Sequence, residues 1–149
     1  MISGGGRSLQ NLIDLIAAGK LNARIAVVIS SLSKVQGVER ARAAGLPVEI
    51  VRRKDFTDVA SFSNTLVDTL ERHGVQLAVQ AGWTCMWHMP DRWYGRVMNI
   101  HPALLPSFGG QGMWGHHVHQ AVLDAGCKVS GCTVHFCTNE YDRGPIIVQ

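Results

Sequence analysis

The sequence lacks any apolar run long enough to cross a bilayer. Its longest, such as Ile25–Ile29, fall far short of the ~20 residues that a membrane helix needs. It also lacks a basic start followed by an apolar stretch, so the pattern of a secretory signal is missing and a cytoplasmic location is expected. Its four cysteines, Cys85, Cys127, Cys132 and Cys137, form no C-x-x-C pair, and the spacing of the last three fits no zinc-ligand pattern. They read as reduced packing residues. Dense basic stripes are missing too: the net charge is +3, and Arg52-Arg53-Lys54 is the one cluster. That argues against a nucleic-acid partner, while a mild positive bias suits anionic small substrates. The four tryptophans read as core or pocket walls.

Familiar cofactor and metal motifs are absent in the same way. There is no G-x-x-x-x-G-K-[ST] loop, and Leu9 breaks a full G-x-G-x-x-G fingerprint. His116, His117 and His119 sit at i, i+1 and i+3 with no accompanying carboxylate, unlike H-E-x-x-H. No metal is expected.

What remains is an alternation of strand and helix. A chain of 149 residues, 46% hydrophobic, suits one domain with one core. Leu9, Leu12, Ile13, Ile16 and Ala17 follow helical spacing, and Gly19 marks the end. Ala23–Ser30 reads as a strand buried on both faces. Val38–Ala44 reads as a short helix stopped by Gly45, and Pro47–Val51 as a strand. Phe62, Leu66 and Leu70 define a helix ending at His73-Gly74, followed by strands at Gln76–Ala81 and Val97–Ile100. Residues 102–115 form a Pro- and Gly-rich loop. His117–Ala125 reads as a helix, and Lys128–Cys137 and Pro145–Gln149 as strands. The expected class is α/β: one domain with a doubly wound, mostly parallel sheet.

Both ends look abrupt. Only Met1 and Ile2 precede a glycine loop that should follow a strand, and the chain stops inside its last strand. The first strand of a doubly wound sheet is central. The expectation is therefore a domain, residues 1–149, lacking that strand and a C-terminal segment. Each stranded backbone group would cost roughly 1–3 kcal/mol.

Three segments carry chemistry. Ser3-Gly4-Gly5-Gly6-Arg7-Ser8 runs straight into a helix. Its glycines allow close backbone approach, and the first helical amides can hold an anion such as phosphate, with Arg7 adding a cation and Ser8 a hydroxyl. The competing reading is a flexible turn with Ser8 as helix cap. In the second segment, Asn99 and His101 lie two residues apart on a strand and project to one face. An amide donor beside an imidazole suits an oxyanion site with a proton-transfer partner, though a histidine satisfied at a strand end has the same pattern. In the third, Asp142 is either an acidic site residue or a turn residue before Gly144-Pro145.

Asn99-Ile100-His101-Pro102-Ala103-Leu104-Leu105-Pro106 resembles the catalytic signature of the folate-dependent formyltransferases, and His135–Ile147 resembles that family's strand, acidic loop and Asp-x-Gly-Pro stretch. The resemblance runs along nearly the whole chain and implies a Rossmann-like formyltransferase fold. It implies transfer of a formyl group from 10-formyltetrahydrofolate, as co-substrate, to the amine of glycinamide ribonucleotide in purine synthesis. Asn99 and His101 would stabilise the oxyanion, with Asp142 as the catalytic aspartate. The phosphate would bind at Gly6, Arg7 and Ser8, although the family commonly has Ser-Asn where this chain has Arg7-Ser8. Folate would bind at Thr84, Cys85, Met86 and Trp87, together with Asn99, Thr138, Asn139, Glu140, Tyr141 and Asp142. The family often has Arg-Ile-Leu where this chain has Cys85-Met86-Trp87. Alternatives within the resemblance are formyltetrahydrofolate hydrolases, with His-His-Ser in place of His101-Pro102-Ala103, and methionyl-tRNA formyltransferases, which carry a further RNA-binding domain. An inactive fragment of the family is another.

Overall fold

The computed structural model describes residues 1–149 and divides into two units, Met1–His88 and Met89–Gln149. In the first, strand and helix alternate as the hydrophobic pattern requires: α1 (Arg7–Ala17), β1 (Val28–Ser30), α2 (Gln36–Ala43), β2 (Val48–Ile50), α3 (Val59–Arg72) and β3 (Ala78–Gln80). The Asp58 side chain caps α3 by accepting from the Ser61 N–H at 2.7 Å. β1 and β2 are parallel, with Val28 opposite Val48 and Ser30 opposite Ile50. All three residues of β1 are buried, as a strand covered on both faces demands.

β1 is shorter than the apolar run that announces it. Ala23 and Arg24 are exposed, and the ladder has only the three rungs that β2 offers. A strand is as long as its partner allows, whatever its own composition.

Met1–Ser3 lie between β1 and β3 and bond to both sides. The Ile2 N–H donates to the Ile29 carbonyl at 2.9 Å and the Ser31 N–H to the Ile2 carbonyl at 3.1 Å. On the other side the Ala81 N–H donates to the Met1 carbonyl at 2.9 Å and the Ser3 N–H to the Gly82 carbonyl at 3.0 Å. The Met1 amino group donates to the Val79 carbonyl at 2.7 Å, and burial pulls its pKa down to about 5. Ile2, 1% exposed, joins Leu9, Val28, Ala41 and Ala81 in the core. Burying a side chain of that size stabilises by roughly 1.5–3 kcal/mol.

The second unit is built differently. It holds β4 (Val97–His101), α4 (His116–Asp124), β5 (Thr133–Phe136) and β6 (Ile146–Val148). β4 and β5 are antiparallel, as are β5 and β6, with an irregularity between Val134 and His135. The protein is α/β as read, and its strands are mixed: β1 and β2 are parallel, β4 to β6 antiparallel. Alternation of strand and helix does not set strand direction. Two short 3-10 turns, Arg53–Asp55 and Asp91–Trp93, carry no periodicity that would have marked them. Trp93 is fully buried, with the Arg96 guanidinium 4.4 Å from its ring centre.

Candidate active site

Asn99 and His101 share a face of β4, and the β5 register places His135 directly opposite Asn99 and Thr133 opposite His101. Four polar side chains thus meet on one face of a two-stranded ladder. The His135 Nδ1 lies 3.0 Å from the Phe136 carbonyl, so it carries the proton it donates there. Its Nε2 lies 3.1 Å from the Asn99 amide nitrogen. The same amide reaches Asp142 Oδ1 at 3.5 Å.

Asp142 is brought in by the turn between β5 and β6. It has a positive φ of 53°, a conformation that Asp tolerates better than most residues. Gly144 packs so closely on the Phe136 carbonyl that a Cβ there would run into the oxygen. The second Asp142 oxygen accepts from the Gly110 N–H at 2.9 Å and faces His101 Nδ1 at 3.6 Å. The first faces His135 Nε2, also at 3.6 Å. Burial alone would raise the Asp142 carboxyl. The His135 contact, the Gly110 N–H and the charge of His101 outweigh it and hold the group below its ordinary pKa.

His101 is 2% exposed, and both ring nitrogens are engaged: Nε2 donates to the Phe108 carbonyl at 2.8 Å, and Nδ1 faces Asp142. Thr133 ties down the loop between them. Its hydroxyl donates to the Ala103 carbonyl at 2.7 Å and accepts from the Leu105 N–H at 3.0 Å. Burial, and then the Asp142 charge, push the Cys137 thiol up to about 12.

The glycine loop lies in the first unit and is a backbone construction. Gly6 is the N-cap of α1, with φ 67°, and no side chain caps the helix. Ser8 is therefore inside the first turn and not the cap. That turn carries no acidic residue, so nothing of its own neutralises the positive end of the helix.

A profile described as Formyl transferase matches residues 1–149. The chain belongs to the formyl transferase family. It is 38% identical over 151 residues to the trifunctional purine biosynthetic protein adenosine-3 of Bos taurus, covering 100% of this chain and 14% of that protein. It is 35% identical over 151 residues to phosphoribosylglycinamide formyltransferase of Haemophilus influenzae, covering 100% of this chain and 69% of that enzyme. The crystal structure of glycinamide ribonucleotide transformylase 1 from Symbiobacterium toebii superposes with a TM-score of 0.91 at 38% identity, covering 99% of this chain and 68% of that one. This formyl transferase chain thus spans about a seventh of the bovine protein's length and about two thirds of the bacterial ones.

In this family member the residues expected at the folate site fall into two groups. Thr84 is exposed and Cys85 and Met86 are half-buried in the first unit, while Trp87 is a core residue, 3% exposed. In the second unit Thr138 and Glu140 close a local turn, the Glu140 N–H donating to the Thr138 hydroxyl at 3.3 Å. Tyr141 is exposed. The Asn139 side chain is spent on the Met89 backbone, accepting from its N–H at 2.7 Å and donating to its carbonyl at 3.1 Å. It shapes the loop rather than offering its amide outward. The residue that sequence reasoning missed is His135. Its signal was available in the alternation of Thr133 and His135 on a strand, but only the register with β4 shows which residue it meets. His116, His117 and His119 begin α4, and the His116 and His117 rings lie 4.0 Å apart beside Trp114.

Proposed function

We propose that this protein transfers the formyl group of 10-formyltetrahydrofolate to the amine of glycinamide ribonucleotide, a step of purine synthesis. The observation that carries this reading is the convergence of Asn99, His101 and Asp142, with Asn99 and His101 on one strand face and Asp142 supplied from a distant turn. The amine lone pair attacks the formyl carbon and the carbonyl electrons move onto oxygen. The Asn99 amide donates to that developing oxyanion, exchanging its long 3.5 Å contact with Asp142 for a shorter one to substrate. His101 gives up the Phe108 carbonyl and turns Nε2 to the reacting atoms, donating a proton toward the folate nitrogen as the carbon–nitrogen bond breaks, and the proton shed by the attacking amine returns to the imidazole left neutral by that transfer. Asp142, kept ionised, faces Nδ1 and steadies the ring. The phosphate of the ribonucleotide is assigned to Gly6, Arg7 and Ser8, and the folate to the segments named above, including Thr84–Trp87. The family membership supports this assignment; no covalent enzyme intermediate is required, because the amine is itself the nucleophile.

The test is release of tetrahydrofolate with glycinamide ribonucleotide as acceptor. Single replacements of Asn99, His101 or Asp142 by alanine should each lower turnover roughly a hundredfold or more, and doubles less than the product of the singles. A folded Asn99→Ala, His101→Ala double variant with near-normal turnover would refute the mechanism.

A further inference from the structure

The glycine loop is gripped from behind by α2. Gly6 meets Gly37 so closely that a Cβ on Gly6 would stand 2.6 Å from the Gly37 Cα. The Gly37 N–H donates to the Gly4 carbonyl at 3.1 Å. One helical turn further on, Arg40 reaches back across the same gap. Its Nε donates to the Gly5 carbonyl at 3.0 Å and its Nη1 to the Gln10 side-chain oxygen at 3.3 Å. One guanidinium therefore joins the loop to the helix that follows it.

The consequence follows from peptide geometry. In a trans peptide the carbonyl of one residue and the N–H of the next point in opposite directions. The only cis bond in the chain is Leu105–Pro106. Turning the Gly4 and Gly5 carbonyls toward α2 therefore turns the Gly5 and Gly6 N–H groups away from it. Three successive glycines have no side chains to resist the opposite choice, so something outside the loop must make it. Gly37 makes it for the first peptide plane and Arg40 for the second.

We propose that Arg40 is a positioning residue for the phosphate-binding loop, holding the Gly5–Gly6 peptide so that the Gly6 N–H faces the bound phosphate. This rests on the reading of Gly6, Arg7 and Ser8 as the phosphate site. The role requires a planar donor fork and not merely a positive charge. A lysine at 40 keeps the charge but cannot offer two donors in that fixed geometry to the Gly5 carbonyl and Gln10. Its ligand class is a phosphomonoester dianion.

The experiment is a titration of the full 149-residue chain with inorganic phosphate, following backbone amide resonances, for wild type, Arg40→Met and Arg40→Lys. Wild type should show shifts centred on Gly5, Gly6, Arg7 and Ser8. Both variants should bind phosphate roughly tenfold more weakly, the usual scale for loss of one charge-assisted hydrogen bond. Even without phosphate, both should already show a displaced Gly6 amide resonance while the β1 and β3 amides stay in place. Arg40→Lys retains the charge and most of the aliphatic stem, so it tests the idea even where Arg40→Met unfolds. Wild-type affinity in a folded Arg40→Lys variant, with an undisturbed Gly6 amide, would overturn the positioning role while leaving the phosphate site standing. Absence of any phosphate response at residues 5–8 in the wild type would instead remove the phosphate reading, and this proposal with it.

Discussion

The glycine loop of the first unit and the polar cluster of the second do opposite things with side chains. The loop is made of backbone. Its close approach to α2 depends on Gly6 and Gly37 having no Cβ, and α1 begins without any side-chain cap. The cluster is made of side chains on a rigid ladder: Asn99, His101 and His135 on paired strands, with Asp142 from the following turn. A backbone site should tolerate changes of side chain but not the addition of an atom. A side-chain site should show the reverse. The two regions therefore teach that position and identity are constrained separately within one chain.

The sharpest break in that comparison is Gly6→Ala. The position has φ 67°, where a side chain costs roughly 1–2 kcal/mol. The new Cβ would also press on Gly37, bringing the total to about 2–4 kcal/mol. A urea midpoint unchanged from wild type would mean that the loop is not packed as described. Next in size is the effect of the cluster on turnover, where one oxyanion donor is worth about a hundredfold. That loss should come without a comparable loss of stability at Asn99, which is only half-buried.

Asp142→Asn separates charge from shape. The Asp142 carboxyl is held below its ordinary pKa in the folded protein. Its contribution is therefore present above the unfolded-state carboxylate pKa and is lost as pH falls through the lowered folded value. Between about pH 5 and pH 2 the wild type should lose stability more steeply than Asp142→Asn, read from urea midpoints at each pH. Parallel curves would mean that the His101, His135 and Gly110 contacts do not hold the charge.

The smallest effect belongs to Arg7→Ala. Arg7 is exposed, so its contact with a phosphate is screened by salt. Ribonucleotide affinity should fall a few-fold at low ionic strength, and the difference should shrink as salt is added. Folate affinity falling equally would show that Arg7 is not at a phosphate site.

Much of the fold was legible because periodicity reports burial. α1 lies where Leu9, Leu12, Ile13 and Ile16 recur, and α3 where Phe62, Leu66 and Leu70 do, since a helix buries one stripe. The same reasoning overran at Ala23–Val27, because apolar composition does not reveal how long a partner strand is. Asn99 and His101 could be placed on one face from their spacing alone. His135 could not be joined to them, because a register between strands separated by some thirty residues is a long-range fact.

By itself the sequence determined the element types, the α/β class and the local pairing of Asn99 with His101, since each depends on neighbours a few residues away. Family resemblance added Asp142. Only the tertiary structure decided that β5 runs antiparallel to β4, that the Asn99 amide meets the His135 ring, and that Arg40 bonds to the glycine loop. Each of those joins residues about thirty or more positions apart, where packing of the whole unit selects among pairings that local preference leaves equal.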